Sequence, residues 1–137
     1  SQAIPLPKFV FGIRSEIVKN IMKMNELDSR KQIHFQKKNI AGMELLIPQY
    51  VQIASTFDSD EHPDFWALTT LMVGGLYEDI GDIHIDKIAS KSHFKMALEK
   101  YRIVGASAPE QVSPSFRDIA IFFEQELLAD NKDLGLQ

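Results

Sequence analysis

The densest set of potentially reactive side chains in this chain lies in the segment YEDIGDIHID, residues 77–86. The segment carries four carboxylates and one histidine but no basic residue. If its second half is extended, Asp82, His84 and Asp86 share one face, because side chains alternate along a strand. Two carboxylates and an imidazole can bind a divalent cation or position a water for acid–base chemistry. The spacing therefore permits a site of this kind, although it is not specific for one.

A second acidic cluster with a histidine lies at the other end of the helix predicted between the two clusters. Its members are Asp58, Asp60, Glu61, His62 and Asp64. The helical stretch of about 15 residues would be roughly 22 Å long at 1.5 Å per residue. One ion could therefore not bind both clusters, which weakens the metal interpretation.

The simpler interpretation of residues 77–86 is structural. Gly81 would follow the end of one helix and Asp86 would cap the next, as glycine and aspartate commonly do. Four nearby isoleucines would then enter the core, namely Ile80, Ile83, Ile85 and Ile88. The chain contains no phosphate-binding glycine loop, zinc-protease motif or nucleophile elbow. We therefore favour a protein that is not an enzyme over an enzyme, and we assign it no catalytic residue, cofactor or metal, with Asp82, His84 and Asp86 as the alternative metal set.

Charge is distributed unevenly along the chain. Residues 1–38 carry eight of the 15 Lys and Arg residues, whereas residues 39–86 carry none and hold nine acids. Residues 87–137 are balanced, and the net charge is −4. Nucleic-acid binders typically show a basic excess, so this composition argues against one. Segregated charge favours docking to another protein or to a second copy, because complementary potentials steer and orient association.

The basic residues that could face such a partner lie on one predicted helix. They form two pairs spaced seven residues apart, Arg30 with Lys37 and Lys31 with Lys38. The helix dipole opposes cations near a helix N-terminus. We therefore expect an anionic group nearby, either the chain's own acidic segment or a partner. The predicted acidic partner-binding residues are Glu78, Asp79 and Asp82.

Hydrophobic spacing predicts an all-α fold, a compact bundle of five or six helices with a short N-terminal strand or extended arm. A length of 137 residues corresponds to one domain. We divide the chain into an arm over 1–14, a helical domain over 15–131 and a frayed tail over 132–137.

Prolines, glycines and capping residues set the predicted helix boundaries. Asp28 or Ser29 would cap a second helix, which would end or kink at Ile47 because the following Pro48 disfavours helical geometry there. Pro48 itself would open the next helix. The other helices are predicted near residues 15–26, 63–80, 87–104 and 114–128.

Two hypotheses for function follow. The preferred one is a non-catalytic protein–protein interaction module (an adaptor, regulator or assembly subunit) that uses its charge-segregated surface. The alternative is a small-molecule-binding or metal-binding helical domain. Its pocket would lie beside Gly74-Gly75, because a glycine pair inside a helix implies a close approach, a kink or a ligand contact. Trp66, Met72 and Tyr77 would line this pocket, with Asp82, His84 and Asp86 at its mouth.

The absence of cysteine rules out disulfides and thiolate metal sites. No apolar run approaches the roughly 20 residues needed to cross a bilayer, and the first residues do not read as a signal peptide. These features favour an intracellular setting.

Overall fold

The computed structural model describes residues 9–10 and 12–137, with side chains from residue 12 onwards. The prediction of a compact all-α fold is confirmed. A two-stranded antiparallel hairpin, β1 (Phe9–Val10) and β2 (Ile13–Arg14), precedes the helices. The helices are α1 (Ser15–Gln36), α2 (Ile40–Ala54), α3 (Pro63–Ile83), α4 (Lys87–Gly105) and α5 (Pro114–Asp130), followed by a 3-10 turn over Lys132–Leu134.

Helix α3 is central, as predicted, and it separates two hydrophobic clusters. It packs most extensively against α4 and α2, and more lightly against α5 and α1. On one side, its Val73, Leu76 and Ile80 pack with buried side chains of α1 and α2. On the other side, its Ala67 and Leu71 pack with α4 and α5. Every other helix is therefore positioned by reference to α3.

The predicted helix boundary at Asp28 or Ser29 is wrong, because α1 runs through both residues. Ser29 Oγ donates to the carbonyl of Asn25 at 3.1 Å, a bond made inside a helix. Asp28 Oδ1 accepts a hydrogen bond from Tyr50 OH of α2 at 2.9 Å. Neither side chain is used to cap a new helix.

The boundary between the first two helices, α1 and α2, lies instead at residues 37–39. Lys38 adopts a left-handed conformation with φ of 55°. The side chain of Asn39 then caps α2 by accepting the N–H of Gly42 at 3.0 Å. A left-handed residue followed by an asparagine cap ends one helix and starts the next without a proline.

Pro48 lies inside α2, so it does not open a new helix as predicted, and the helix does not end there. Proline lacks an N–H, so the carbonyl of Glu44 has no helical donor four residues later. The helix persists because its apolar face is buried on both sides of the proline. Leu46, Tyr50 and Ile53 all pack into the cluster between α1, α2 and α3.

The α3–α4 connection also differs from expectation. Gly81 lies within α3 rather than beyond its end, and Ile80 is buried as predicted. Asp86 caps α4, as predicted, by accepting the N–H of Ile88 at 3.0 Å. Ile85 and Ile88 are 98% and 81% exposed, so their predicted entry into the core is wrong. The tight cap turns this part of the connection outward.

The C-terminal tail, expected to be frayed, packs onto the bundle. After the 3-10 turn, Leu136 is buried in the cluster formed by α3, α4 and α5. Most of the predicted arm, residues 1–8 and 11, lies outside the described residues. Among the described helices, none combines the length and apolar character that crossing a membrane requires.

The glycine pair in α3 offers a matched test of this packing. A Cβ on Gly74 would lie 2.6 Å from Cε1 of Tyr101, whereas a Cβ on Gly75 would meet no atom of the described part of the chain within 4 Å. We expect Gly74→Ala to lower the free energy of unfolding by about 1–3 kcal/mol through overpacking. Gly75→Ala should raise it by up to about 1 kcal/mol through helix propensity. Urea unfolding measures both values, and a neutral Gly74→Ala would contradict the close approach.

Candidate functional site

An open groove of about 430 Å³ lies between α1, α3 and α5. Gly75 contributes to its floor and leaves space there because it has no side chain. The remaining apolar lining comes from α3 and α5, namely Leu68, Leu71, Met72, Phe116, Ile119 and Phe123. Polar side chains gather at one part of the lining, namely Asp28, Lys31, Glu78, Asp79 and Tyr101.

Helix α5 supplies an apolar wall because only part of its apolar stripe enters the core. Ala120 and Leu127 are buried, whereas Ile119 and Phe123 remain 41% and 38% exposed and line the groove. Phe122 beside them is 56% exposed. The same helical periodicity therefore serves both the core and an open surface.

Lys31 forms the polar link between α1 and α3. Its Nζ lies 2.9 Å from Asp79 Oδ2 and 3.2 Å from Asp28 Oδ1, and the residue is only 7% exposed. Burial by itself lowers the pKa of Lys31, but the hydrogen bonds and charges of Asp79 and Asp28 outweigh it and raise the pKa overall. Lys31 is therefore charged and already paired.

The neighbouring carboxylates of α3 are crowded. Glu78 Oε1 accepts a hydrogen bond from Tyr101 OH at 2.7 Å. Burial raises the pKa of Glu78, and the Tyr101 hydrogen bond offsets part of this effect. Partial burial, with the charges of Glu78, Asp79 and Asp130, raises the pKa of Asp82 to about 6. This end of the groove therefore has more acidic groups than cations.

This arrangement divides the predicted basic face. Lys31 is largely buried and its ammonium is already paired with Asp79 and Asp28, so it is not an exposed cation, and its part in partner binding stays a prediction. Its anionic neighbour is the chain's own acidic segment, one of the alternatives considered above. Arg30 pairs with Glu26 at 2.6 Å on the surface of α1. Lys37 and Lys38 are exposed at the α1–α2 turn, and their part in partner binding stays a prediction.

The groove shares only part of its lining with the pocket predicted beside Gly74-Gly75. Met72 and Gly75 line the groove, but Trp66 and Tyr77 do not. The ring of Tyr101 fills the space beside Gly74, which therefore does not open onto a ligand pocket. The groove lining does not include Asp82, His84 or Asp86.

The predicted metal set Asp82, His84 and Asp86 does not form a cluster among the described residues, and Asp86 caps α4. His84 lies instead beside Glu44 of α2 and His93 of α4. Glu44 and His93 were missed because 49 positions of sequence separate them and no local spacing connects them. The two acidic clusters do lie at opposite ends of α3, whose 21 residues span roughly 30 Å at 1.5 Å per residue.

Replacing Lys31 tests the buried ion pairs against an exposed neighbour. We expect Lys31→Met to lower the free energy of unfolding at pH 7 by about 2–3 kcal/mol, because Asp28 and Asp79 lose their counter-charge in a partly buried site. Arg30→Met, the control in the same helix, should cost less than about 0.5 kcal/mol because its pair is exposed. Equal losses in urea unfolding would contradict the distinction.

Asp82 predicts a specific pH dependence. Because its folded pKa of about 6 exceeds the ordinary value of 3.8, the folded state binds the proton more tightly. The contribution of Asp82 to stability therefore falls as pH rises from about 4 to about 6. Asp82→Asn should stabilise the protein above pH 6 by about 1 kcal/mol, a figure reduced for solvent screening.

The Asp82→Asn gain should disappear near pH 4, where the wild-type carboxyl is also neutral. Thermal melts across this pH range measure the difference between variant and wild type. Asp118→Asn, on the exposed surface of α5, is the control for a general charge effect. A gain that is the same at pH 4 and pH 7 would refute the assignment.

Comparisons with known protein families, with curated proteins and with solved structures found no match to this chain. The interpretation of the groove and of the histidine cluster therefore rests on the residues of the chain itself.

Proposed function

We propose that this protein is a non-catalytic protein–protein interaction module, an adaptor, regulator or assembly subunit, that binds an amphipathic, basic helix of a partner. The partner helix would occupy the groove between α1, α3 and α5. One observation carries the proposal, the combination of an apolar floor and a carboxylate-rich end in a single open groove.

The apolar surface supports a macromolecular partner. Ile119, Phe122 and Phe123 follow one another closely on α5, and all three are exposed. Contiguous exposed apolar surface on a folded protein commonly marks an interaction site. The groove floor continues this surface onto α3 through Leu68 and Met72.

The arrangement of helices supports a helical occupant. Helices α1 and α5 flank a face of α3 that neither of them covers extensively. A helix laid along this face would pack as an additional member of the bundle. Partners of such grooves present apolar side chains at i, i+3 or i+4, and i+7.

The charges support a basic partner. Lys31 is already paired with Asp28 and Asp79, so it contributes little attraction for an anion. Glu78 uses only one oxygen in its bond to Tyr101, and the exposed Asp82 follows it on the same helix, outside the groove lining. Lys or Arg on a partner helix would relieve the repulsion among these carboxylates. Such pairs would mainly set orientation and association rate.

A small molecule is the second candidate for the same groove. A volume of about 430 Å³ lies within the range of roughly 300–1,000 Å³ typical of ligand sites. An apolar amine would satisfy the same floor and the same carboxylates.

The test uses a displayed library of amphipathic helices with lysines beside a variable apolar face. Selected peptides are measured by fluorescence anisotropy against wild type and against Gly75→Leu, which should fill the groove floor. We expect at least tenfold weaker binding to Gly75→Leu, and weaker, less salt-dependent binding to Glu78→Gln. Ser92→Leu, which adds the same side chain on the exposed surface of α4, should bind normally.

The proposal is overturned if the library yields no binder, or if the selected peptides bind Gly75→Leu and wild type equally well. Binding of phenylalkylamines without any peptide binding would favour the small-molecule candidate. Thermal melts of each variant establish that the bundle remains folded.

A further inference from the structure

We propose that Glu44, His84 and His93 form a site for a divalent transition-metal ion of the zinc class. The three residues come from α2, from the end of α3 and from α4, so the site joins three elements. It is separate from the groove, whose lining contains none of them.

The ligand atoms are already close to coordinating positions. Glu44 Oε1 lies 3.7 Å from His84 Nε2 and 3.8 Å from His93 Nε2, and one ligand atom from each residue falls within 4.8 Å of the others. Ligands about 2.0–2.1 Å from a tetrahedral zinc are roughly 3.3 Å apart. Small side-chain movements would therefore bring both imidazoles and the carboxylate onto one ion.

The ring of His93 is held in the tautomer that a metal needs. Its Nδ1 lies 2.8 Å from the carbonyl oxygen of Ala89. Because that oxygen can only accept, Nδ1 must carry the proton, and in the neutral ring Nε2 presents its lone pair towards Glu44. Metal-binding histidines commonly donate their second ring nitrogen to a carbonyl in this way.

His84 gives an independent indication. Its Nε2 is buried and has no hydrogen-bond partner among the residues that the structure describes. A buried polar atom without a partner costs about 1–3 kcal/mol, so native proteins usually satisfy such atoms. Coordination of an ion at the position shared with Glu44 and His93 would satisfy this nitrogen.

The backbone around His84 is also held in place. Ser90 Oγ lies within hydrogen-bond distance of the carbonyl oxygens of Gly81, at 2.8 Å, and His84, at 3.1 Å. Ser90 is itself buried at the start of α4. The end of α3 is therefore fixed against α4, which keeps His84 near His93, at 5.0 Å between ring centroids.

The donor set defines the class of ion. Two imidazoles and one carboxylate suit zinc, cobalt, nickel or ferrous iron, whereas magnesium and calcium prefer oxygen ligands. Three protein ligands leave a coordination position for water or for a further ligand. The side chain of Glu44 is 46% exposed, so solvent can reach this position.

The test is a titration of the whole chain with Co²⁺, followed by visible absorption and by competition with Zn²⁺. We expect one saturable equivalent of Co²⁺, displaced by Zn²⁺, and a rise in melting temperature with Zn²⁺ but not with Mg²⁺. His84→Ala and His93→Ala should lose saturable binding. Glu44→Gln should weaken Co²⁺ binding by at least about tenfold, which is the smallest loss of affinity usual when even a supporting partner of a metal ligand is replaced. His62→Ala, at the far end of α3, should bind like wild type.

Absence of saturable Co²⁺ binding to wild type overturns the proposal, as does unchanged binding by Glu44→Gln. The Glu44→Gln result remains decisive if either histidine variant fails to fold, because the carboxylate is partly exposed and its replacement has the same shape. Failure of this site would leave the groove proposal intact, since the peptide measurements use different residues and no metal.

Discussion

The close packing of α4 against the backbone of α3 determines the geometry of both the groove and the histidine cluster. Gly74 and Gly81 have no side chain, so the rings of Tyr101 and Phe94 rest directly against α3, where a Cβ would lie 2.6–2.7 Å from a ring atom. This contact brings Tyr101 OH to Glu78, at the polar end of the groove. It also carries His93, the neighbour of Phe94, to the end of α3 where His84 lies.

The same packing determines which carboxylates of the acidic segment, residues 39–86, are neutralised. Residues 39–86 contain no Lys or Arg, so a Lys or Arg that pairs with their carboxylates must come from another part of the chain or from a partner. Within the chain, Lys31 of α1 forms an ion pair with Asp79 of α3, and its charge is used in that pair. Glu78 and Asp82 have raised pKa values because burial and like charges oppose their ionisation. Carboxylates that lack a paired cation, close to an apolar groove floor, are the physical basis of the proposed basic partner.

Errors in the sequence-based boundaries share one cause, the override of local signals by burial. Pro48 is a helix breaker by itself, but α2 continues because Tyr50 and Ile53 are buried against α1 and α3. Asp28 resembles a helix cap, but its carboxylate is needed by Lys31 and Tyr50. Gly81 resembles the residue after a helix end, but it lies inside α3, where its lack of a side chain leaves room for the ring of Phe94.

The helical class, the central position of α3 and the distance between its two acidic ends follow from the sequence alone, because hydrophobic periodicity and helix rise are local properties. The sequence also predicts Asp86 as a cap. Which part of the α5 stripe stays open, and which residues surround His84, depends on how the helices pack. Glu44 and His93 lie beside that histidine because three helices pack together, and no spacing of residues along the sequence predicts this proximity.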